Sequence, residues 1–174
     1  MRIGILGSGV MGGRLGTVFA RSGHDVIFSY SRSEKKLERL ARDAGAAARA
    51  GTPREAARDA DVLLVAVHWS RVGDVLRQAG SVSGKVIVTC SLPLNASDTE
   101  LVVAHATSGA EDLARRTPGA AVVSAFCSAP SEVLFAVFEA RYIEPFTMLI
   151  GRLAYETEGG PALAYRFERL EEPA

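Results

Sequence analysis

Short apolar runs alternate with segments of helical period along most of this chain. Residues 2–6 (Arg-Ile-Gly-Ile-Leu) predict a first strand, and residues 10–22 a helix stopped by Gly23. Val10, Leu15, Val18 and Phe19 are expected on the buried side of that helix. A second strand at 25–29, a second helix at 33–43 ended by Gly45, and a short weak strand at 46–50 follow. Thr52, Pro53 and Glu55 make a helix start: a capping hydroxyl, a proline at the first position and a carboxylate three residues on. Residues 61–67 are apolar after Asp61, as in a strand covered on both faces. A helix at 72–79 and a strand at 85–89 come next, and Pro93 forces a loop. Beyond Asn95 the pattern loosens. It predicts a short helix capped by Ser97 and running to 104, a turn or two at 111–116, and a sixth strand at 120–125. Residues 132–157 read as mostly helical, broken at Pro145, with a partly ordered tail around Gly159-Gly160-Pro161.

This alternation defines an α/β fold, a Rossmann-type doubly wound and mostly parallel sheet with a helical C-terminal segment. The expected division is a sheet domain over 1–138 and a helical segment over 139–174 that packs or dimerises. Ligands in such folds sit beyond the carboxyl ends of the strands. Segments 7–12, 29–33, 67–70, 89–95 and 125–130 all follow strands and are expected to converge. The first of them is Gly7-Ser8-Gly9-Val10-Met11-Gly12, placed between a strand and a helix. That context makes it a dinucleotide turn. Gly7 allows the tight turn, Gly9 lets the backbone approach a pyrophosphate, and Gly12 permits close helix packing. The helix start then offers unpaired N–H groups to the phosphates.

Charge narrows the partners. Twenty basic and twenty acidic residues cancel, which points away from nucleic acid. No apolar run is long enough to span a membrane, and the N-terminus lacks a signal-peptide cleavage pattern. Cys90 and Cys127 are neither a disulfide framework nor a metal motif. The expectation is a cytoplasmic protein with small-molecule partners and no bound metal.

An acidic residue at the end of strand 2 would hold the adenosine ribose hydroxyls, but this chain reads Ser29-Tyr30-Ser31-Arg32-Ser33. Arg32, with a hydroxyl from Ser31 or Ser33, suits a ribose 2′-phosphate instead, with help from Lys35 and Lys36. NADP is therefore the expected cofactor. His68 and Trp69 follow strand 4, near the ribose and nicotinamide side. His68 either donates a hydrogen bond or proton there or is structural; Trp69 either stacks on a flat ring or caps the core. His24 reads as a surface residue, and His105 has no evident partner. No acid–base set is identifiable, so the catalytic residue is unknown. Hydride transfer between two bound cofactors needs little acid–base help.

Several motifs together resemble the F420-dependent NADP oxidoreductase family. The run from Met1 to Gly12 is similar to that family's start, as are Ser31-Arg32 with Glu34-Lys35 and strand 61–67 with His68-Trp69. Glu144-Pro145-Phe146-Thr147-Met148-Leu149-Ile150 is similar to its C-terminal helix motif. The resemblance covers roughly residues 1–95, and more weakly 120–157. It implies that Gly7, Ser8, Gly9, Val10 and Met11 hold the pyrophosphate, and Ser31 and Arg32 the 2′-phosphate. It further implies that Val67, His68 and Trp69 line the ribose and nicotinamide, with Ala125 and Phe126 near the nicotinamide and the second ring. The implied reaction is hydride exchange between NADP and the deazaflavin F420, and the implied assembly a homodimer. The exposed apolar side expected of a helix over 142–153 agrees with a dimer. Ser91-Leu92-Pro93 stands where the family has Asn-Pro, Ser124-Ala125-Phe126-Cys127 where it has Lys-Ala-Phe-Asn, and His68 where a proline is usual. A strand–helix–strand region typical of the family is missing after Phe138.

The resulting expectation is an NADP(H)-dependent oxidoreductase passing hydride between NADPH and F420, a flavin or another flat acceptor. A nucleotide-binding sensor without efficient turnover is the alternative. An imine or β-hydroxyacid dehydrogenase is a third reading; it calls for a long helical domain and a catalytic lysine after a glycine-rich segment, and the chain length leaves no room for that domain unless a second subunit completes the site.

Overall fold

Alternation within each apolar run decides which side of the sheet a residue serves. The computed structural model describes residues 1–103, 106–128, 131, 135, 138, 150–156 and 162–168. Strands β1 (Arg2–Leu6), β2 (Asp25–Ser29), β3 (Ala48–Ala50), β4 (Val62–Val65), β5 (Val86–Thr89) and β6 (Ala121–Ser124) form one parallel sheet in the order β3-β2-β1-β4-β5-β6. Helices α1 (Val10–Arg21), α2 (Glu34–Ala44), α3 (Pro53–Asp59), α4 (Trp69–Ala79) and α5 (Gly109–Arg116) connect or flank them. On one side Ile3, Ile5, Val26, Phe28 and Leu64 pack with Leu15 of α1 and Leu37 of α2. On the other, Leu6, Ile27, Leu63, Val65 and Ile87 pack with Ala56 of α3, Val72 of α4 and Leu113 of α5. Period two thus divides the apolar runs between two cores. The order reverses between β1 and β4, which opens a crevice at their carboxyl ends.

Local chemistry sets the helix starts. Thr52 and Glu55 form the expected capping box, with Pro53 opening α3. Ser33 caps α2 by accepting from the Lys36 N–H at 3.3 Å. Helix α4 begins at Trp69 rather than 72, because the His68 side chain caps it by accepting from the Ser70 N–H at 3.2 Å. Helix α5 begins at Gly109 because Ser108 and Glu111 form a second capping box.

The region after Asn95 departs from expectation. No helix runs from Ser97. The Asn95 side chain instead organises a turn: its Oδ1 accepts from the Thr99 N–H at 3.0 Å, and Leu94 bridges Leu101. The Asx bond gives the backbone an alternative to helix.

The chain divides into two compact units, Met1–Glu139 and Ala140–Ala174. In the second, β7 (Ile150–Glu156) and β8 (Ala162–Glu168) pair antiparallel, Leu153 opposite Tyr165. The expected helical C-terminal segment is corrected here. Leu153-Ala154-Tyr155 and Leu163-Ala164-Tyr165-Arg166-Phe167 alternate with period two, and Gly159-Gly160-Pro161 lies between them. Residues 142–149, with the Glu144-Pro145 motif and most of the expected dimer helix, lie outside the described residues, as does His105. Among the described residues no helix is long and apolar enough to cross a membrane.

Candidate functional site

A cleft of about 1100 Å³ opens at the carboxyl ends of β1, β2 and β4. Its floor is the turn Gly7-Ser8-Gly9. Gly7 has φ +117°, and a Cβ there would stand 2.5 Å from the Ala66 carbonyl oxygen. A Cβ on Gly12 would overlap the Gly7 carbonyl oxygen, so that glycine lets α1 fold back tightly onto its own turn. A Cβ on Gly9 would meet nothing within 4 Å, so the space before that backbone is open. No side chain caps α1. The Ser8 hydroxyl is turned inward, donating to the Ser29 carbonyl at 2.8 Å, while Ser29 donates to the Ile5 carbonyl at 2.7 Å. The Ser8 N–H also stays within the fold, donating to the Tyr30 carbonyl at 3.4 Å, as the Gly7 N–H donates to the Ser29 carbonyl at 3.2 Å, so these two residues shape the turn.

At the end of β2 the cleft is lined by Tyr30, Ser31, Arg32 and Ser33, with Lys36 from α2. Ser31 Oγ accepts from the Ser33 N–H at 3.2 Å, and Ser33 Oγ from the Lys36 N–H. Both hydroxyl protons stay available to an anion. Lys35 is exposed and does not line the cleft. Thr52 and Glu55 lie at the rim; the Thr52 N–H donates to Glu55 Oε2 at 2.7 Å and holds that carboxyl below its usual range.

The opposite wall carries Val67, His68 and Arg71. His68 Nδ1 accepts from the Ser70 N–H, which leaves the proton on Nε2, 3.0 Å from Asp98 Oδ1. Asp98 reaches this position with φ +57° in the turn organised by Asn95. Sequence spacing could not find this pair, because the two residues are 30 positions apart. Arg71 was also missed; it belongs to a helix face that only the fold turns toward the cleft.

Not every expected residue joins the cleft. Trp69 is buried in the core beside Val72 and Val75, with Arg116 over its ring at 5.4 Å. Of its two readings the core one holds, since the His68 cap starts α4 so that the indole faces inward. Val10 does not lie on the buried side of α1; it is 62% exposed, and neither it nor Met11 lines the cleft. As the first residues of α1 they offer backbone N–H groups. Ala125 and Phe126 also fall outside the cleft: the Ala125 N–H donates to the Thr89 carbonyl at 3.0 Å, and Phe126, at φ +64°, packs against the core, as Cys90 does. Burial raises the Cys90 thiol to about 11, so it stays protonated at neutral pH. Among the described residues no cluster of His, Cys, Asp and Glu could hold a metal ion.

Strand order, switch-point cleft and glycine turn define a Rossmann-type fold. The chain belongs to the family described as NADP oxidoreductase, coenzyme F420-dependent, whose model matches residues 2–93. Among solved structures it is similar to a hypothetical protein of Sinorhizobium meliloti, at 26% identity and TM-score 0.67 over 78% of this chain and 65% of that one. It is also similar to a protein of Arthrobacter sp. FB24 assigned as an F420-dependent NADP reductase, at 20% identity and TM-score 0.68 over 76% and 65% of the two chains. A Streptomyces aurantiacus imine reductase follows, at 18% identity and TM-score 0.58 over 76% and 43%. The last two likenesses concern the fold alone. The chain spans 65% of the length of the first two structures. No curated protein sequence matches it.

Proposed function

We propose that this chain binds NADP(H) in the switch-point cleft and serves an oxidoreductase that passes hydride between NADPH and a flat acceptor such as F420 or a flavin. One observation carries the reading: where a carboxylate would select NAD, the cleft is lined by Ser31, Arg32 and Ser33, whose hydroxyls and guanidinium suit a phosphate monoester. The cradle fits the rest of the cofactor. Open space before Gly9 and the uncapped start of α1 suit a pyrophosphate held by the backbone of Gly9, Val10 and Met11, while Gly7 and Ser8 shape the turn, their N–H groups donating to the Ser29 and Tyr30 carbonyls. Val67 and His68 line the wall suited to the ribose and nicotinamide. When bound, the nicotinamide supplies the hydride, and the chain's part is to hold and orient it.

A nucleotide sensor without turnover is the second reading. It is favoured by His68, whose two ring nitrogens are both engaged, with Ser70 and Asp98, and so are not aimed at an acceptor. Calorimetric titration with NADPH and NADH tests the binding. Tight NADPH and weak NADH binding are expected, and binding of neither would overturn both readings. NADPH oxidation in the presence of F420, FMN or FAD then separates enzyme from sensor.

A further inference from the structure

The cleft has a charged wall on α4 whose role follows if the site takes NADP(H) as proposed above. Three cations line the cleft: Arg32 after β2, Lys36 on α2 and Arg71 on α4. No side-chain hydrogen bond or ion pair engages any of them among the described residues. The acids lining the cleft, Glu34, Glu38 and Glu55, belong to α2 and α3, so α4 brings positive charge without a carboxylate of its own to the lining.

The acid closest in sequence to Arg71 on α4 is occupied elsewhere. Asp74 Oδ2 accepts from the Tyr30 hydroxyl at 2.6 Å and from Gln78 Nε2 at 2.9 Å, and its Oδ1 accepts from Arg77. Three donors thus use both carboxylate oxygens; the Tyr30 bond first, and more weakly the nearby charge of Arg71, hold this carboxyl below its usual range, so Arg71 lies near Asp74 without a hydrogen bond to it. Tyr30 reaches Asp74 from the end of β2 with φ +56°, an uncommon conformation for a residue other than glycine. Its side chain packs against the core that holds Leu6, Ile27 and Val65. The turn at Tyr30 and its bond to α4 therefore tie the two walls of the cleft together.

We infer that Arg71 is a specificity-determining cation that binds the ribose 2′-phosphate from the α4 wall together with Arg32, and that Tyr30 is a positioning residue that keeps Asp74 from pairing with Arg71. The ligand class is a nucleotide bearing a phosphate monoester on its adenosine ribose. Loss of the Tyr30 hydroxyl opens one acceptor position on Asp74 Oδ2, beside the bond from Gln78, and that position then competes with the phosphate for Arg71.

Calorimetry with 2′,5′-ADP and 5′-ADP, on the wild type and the variants Arg71→Ala, Tyr30→Phe, Arg71→Ala/Tyr30→Phe and Arg32→Ala, tests this. Arg71→Ala should weaken 2′,5′-ADP about tenfold or more and 5′-ADP by less than about twofold. Tyr30→Phe should weaken 2′,5′-ADP by a smaller factor of about three, and the double variant should be no weaker than Arg71→Ala alone. Equal losses for both nucleotides in Arg71→Ala, or no loss, overturn the assignment of Arg71. Independent, multiplicative losses in the double variant overturn that of Tyr30. If Arg32→Ala loses 2′,5′-ADP while Arg71→Ala keeps it, the NADP(H) reading stands and this inference falls. If the wild type binds neither NADPH nor 2′,5′-ADP, the reading fails and the inference with it. Arg71 is exposed, so its removal should leave the circular dichroism spectrum and melting temperature unchanged.

Discussion

The β2-β1-β4 centre of the sheet and its β5-β6 edge share the same parallel pairing but bury different amounts of it. β1 and β2 each bury four residues and β4 three, whereas β6 buries none. The cleft is mounted on the dry part: Gly7, Tyr30 and Ala66 each follow a strand packed on both faces. A ligand site needs walls that do not yield, and close-packed strands with interlocking side chains supply them. Ala125 and Phe126, expected by resemblance to approach the nicotinamide, follow the exposed strand and stand apart from the cleft. The family match ends at residue 93, before that strand begins.

Substitutions on the two sides sharpen the contrast. Phe28→Ala empties a fully buried ring site in the central part and should cost about 3–5 kcal/mol in urea unfolding. A loss below about 1 kcal/mol would mean the centre is as loose as the edge. Gly12→Ala drives a methyl group into the Gly7 carbonyl and should cost about 1–3 kcal/mol while abolishing NADPH binding by calorimetry. An unchanged affinity would separate the turn from the site.

A smaller effect lies at the opposite end of the same strands. Asp61 accepts from the Arg2 backbone N–H at 2.9 Å and from its guanidinium at 2.6 Å, and these bonds lower its carboxyl to about 2. A lowered folded-state value means the contribution is full above the ordinary carboxylate range and fades as pH falls toward 2. Wild type should therefore exceed Asp61→Asn in stability at neutral pH and converge with it in acid. A difference that persists unchanged at low pH would remove the ionic origin. Smallest of all, Val123→Ala on β6, 47% exposed, should shift stability by less than about 0.5 kcal/mol.

Much of the central region was readable in one dimension. Five strands of the sheet announce themselves as apolar runs, and Thr52-Pro53-Glu55 and Gly7–Gly12 act through neighbours a few residues away. Ser31, Arg32 and Ser33 sit in the cleft because a strand end fixes their place. What escaped depends on distance. Asp98 meets His68 only after β5 has been added to the sheet, and Tyr30 meets Asp74 across 44 residues of chain, once the fold brings α4 within reach of the end of β2. Trp69 turned inward because of a histidine cap, which spacing alone does not reveal. Ser108-Gly109-Ala110-Glu111 was a legible capping box that the loose pattern around it obscured. The hairpin of β7 and β8 competed with helix-forming alanines and glutamates, and its alternation prevailed.

Strand β1 lies between β2 and β4, yet it is the first to be made. Its Arg2 meets Asp61 only across 59 residues of chain. At a synthesis rate of about 5–20 residues per second, that edge of β1 stays unpaired on the ribosome for roughly 3–12 seconds after it emerges. During that interval β1 and β2 form a two-stranded ribbon with an open apolar flank, the species most at risk of joining another nascent chain. The central position that makes β1 the firmest floor for the cleft also makes the newborn chain's first half the part that most needs shielding.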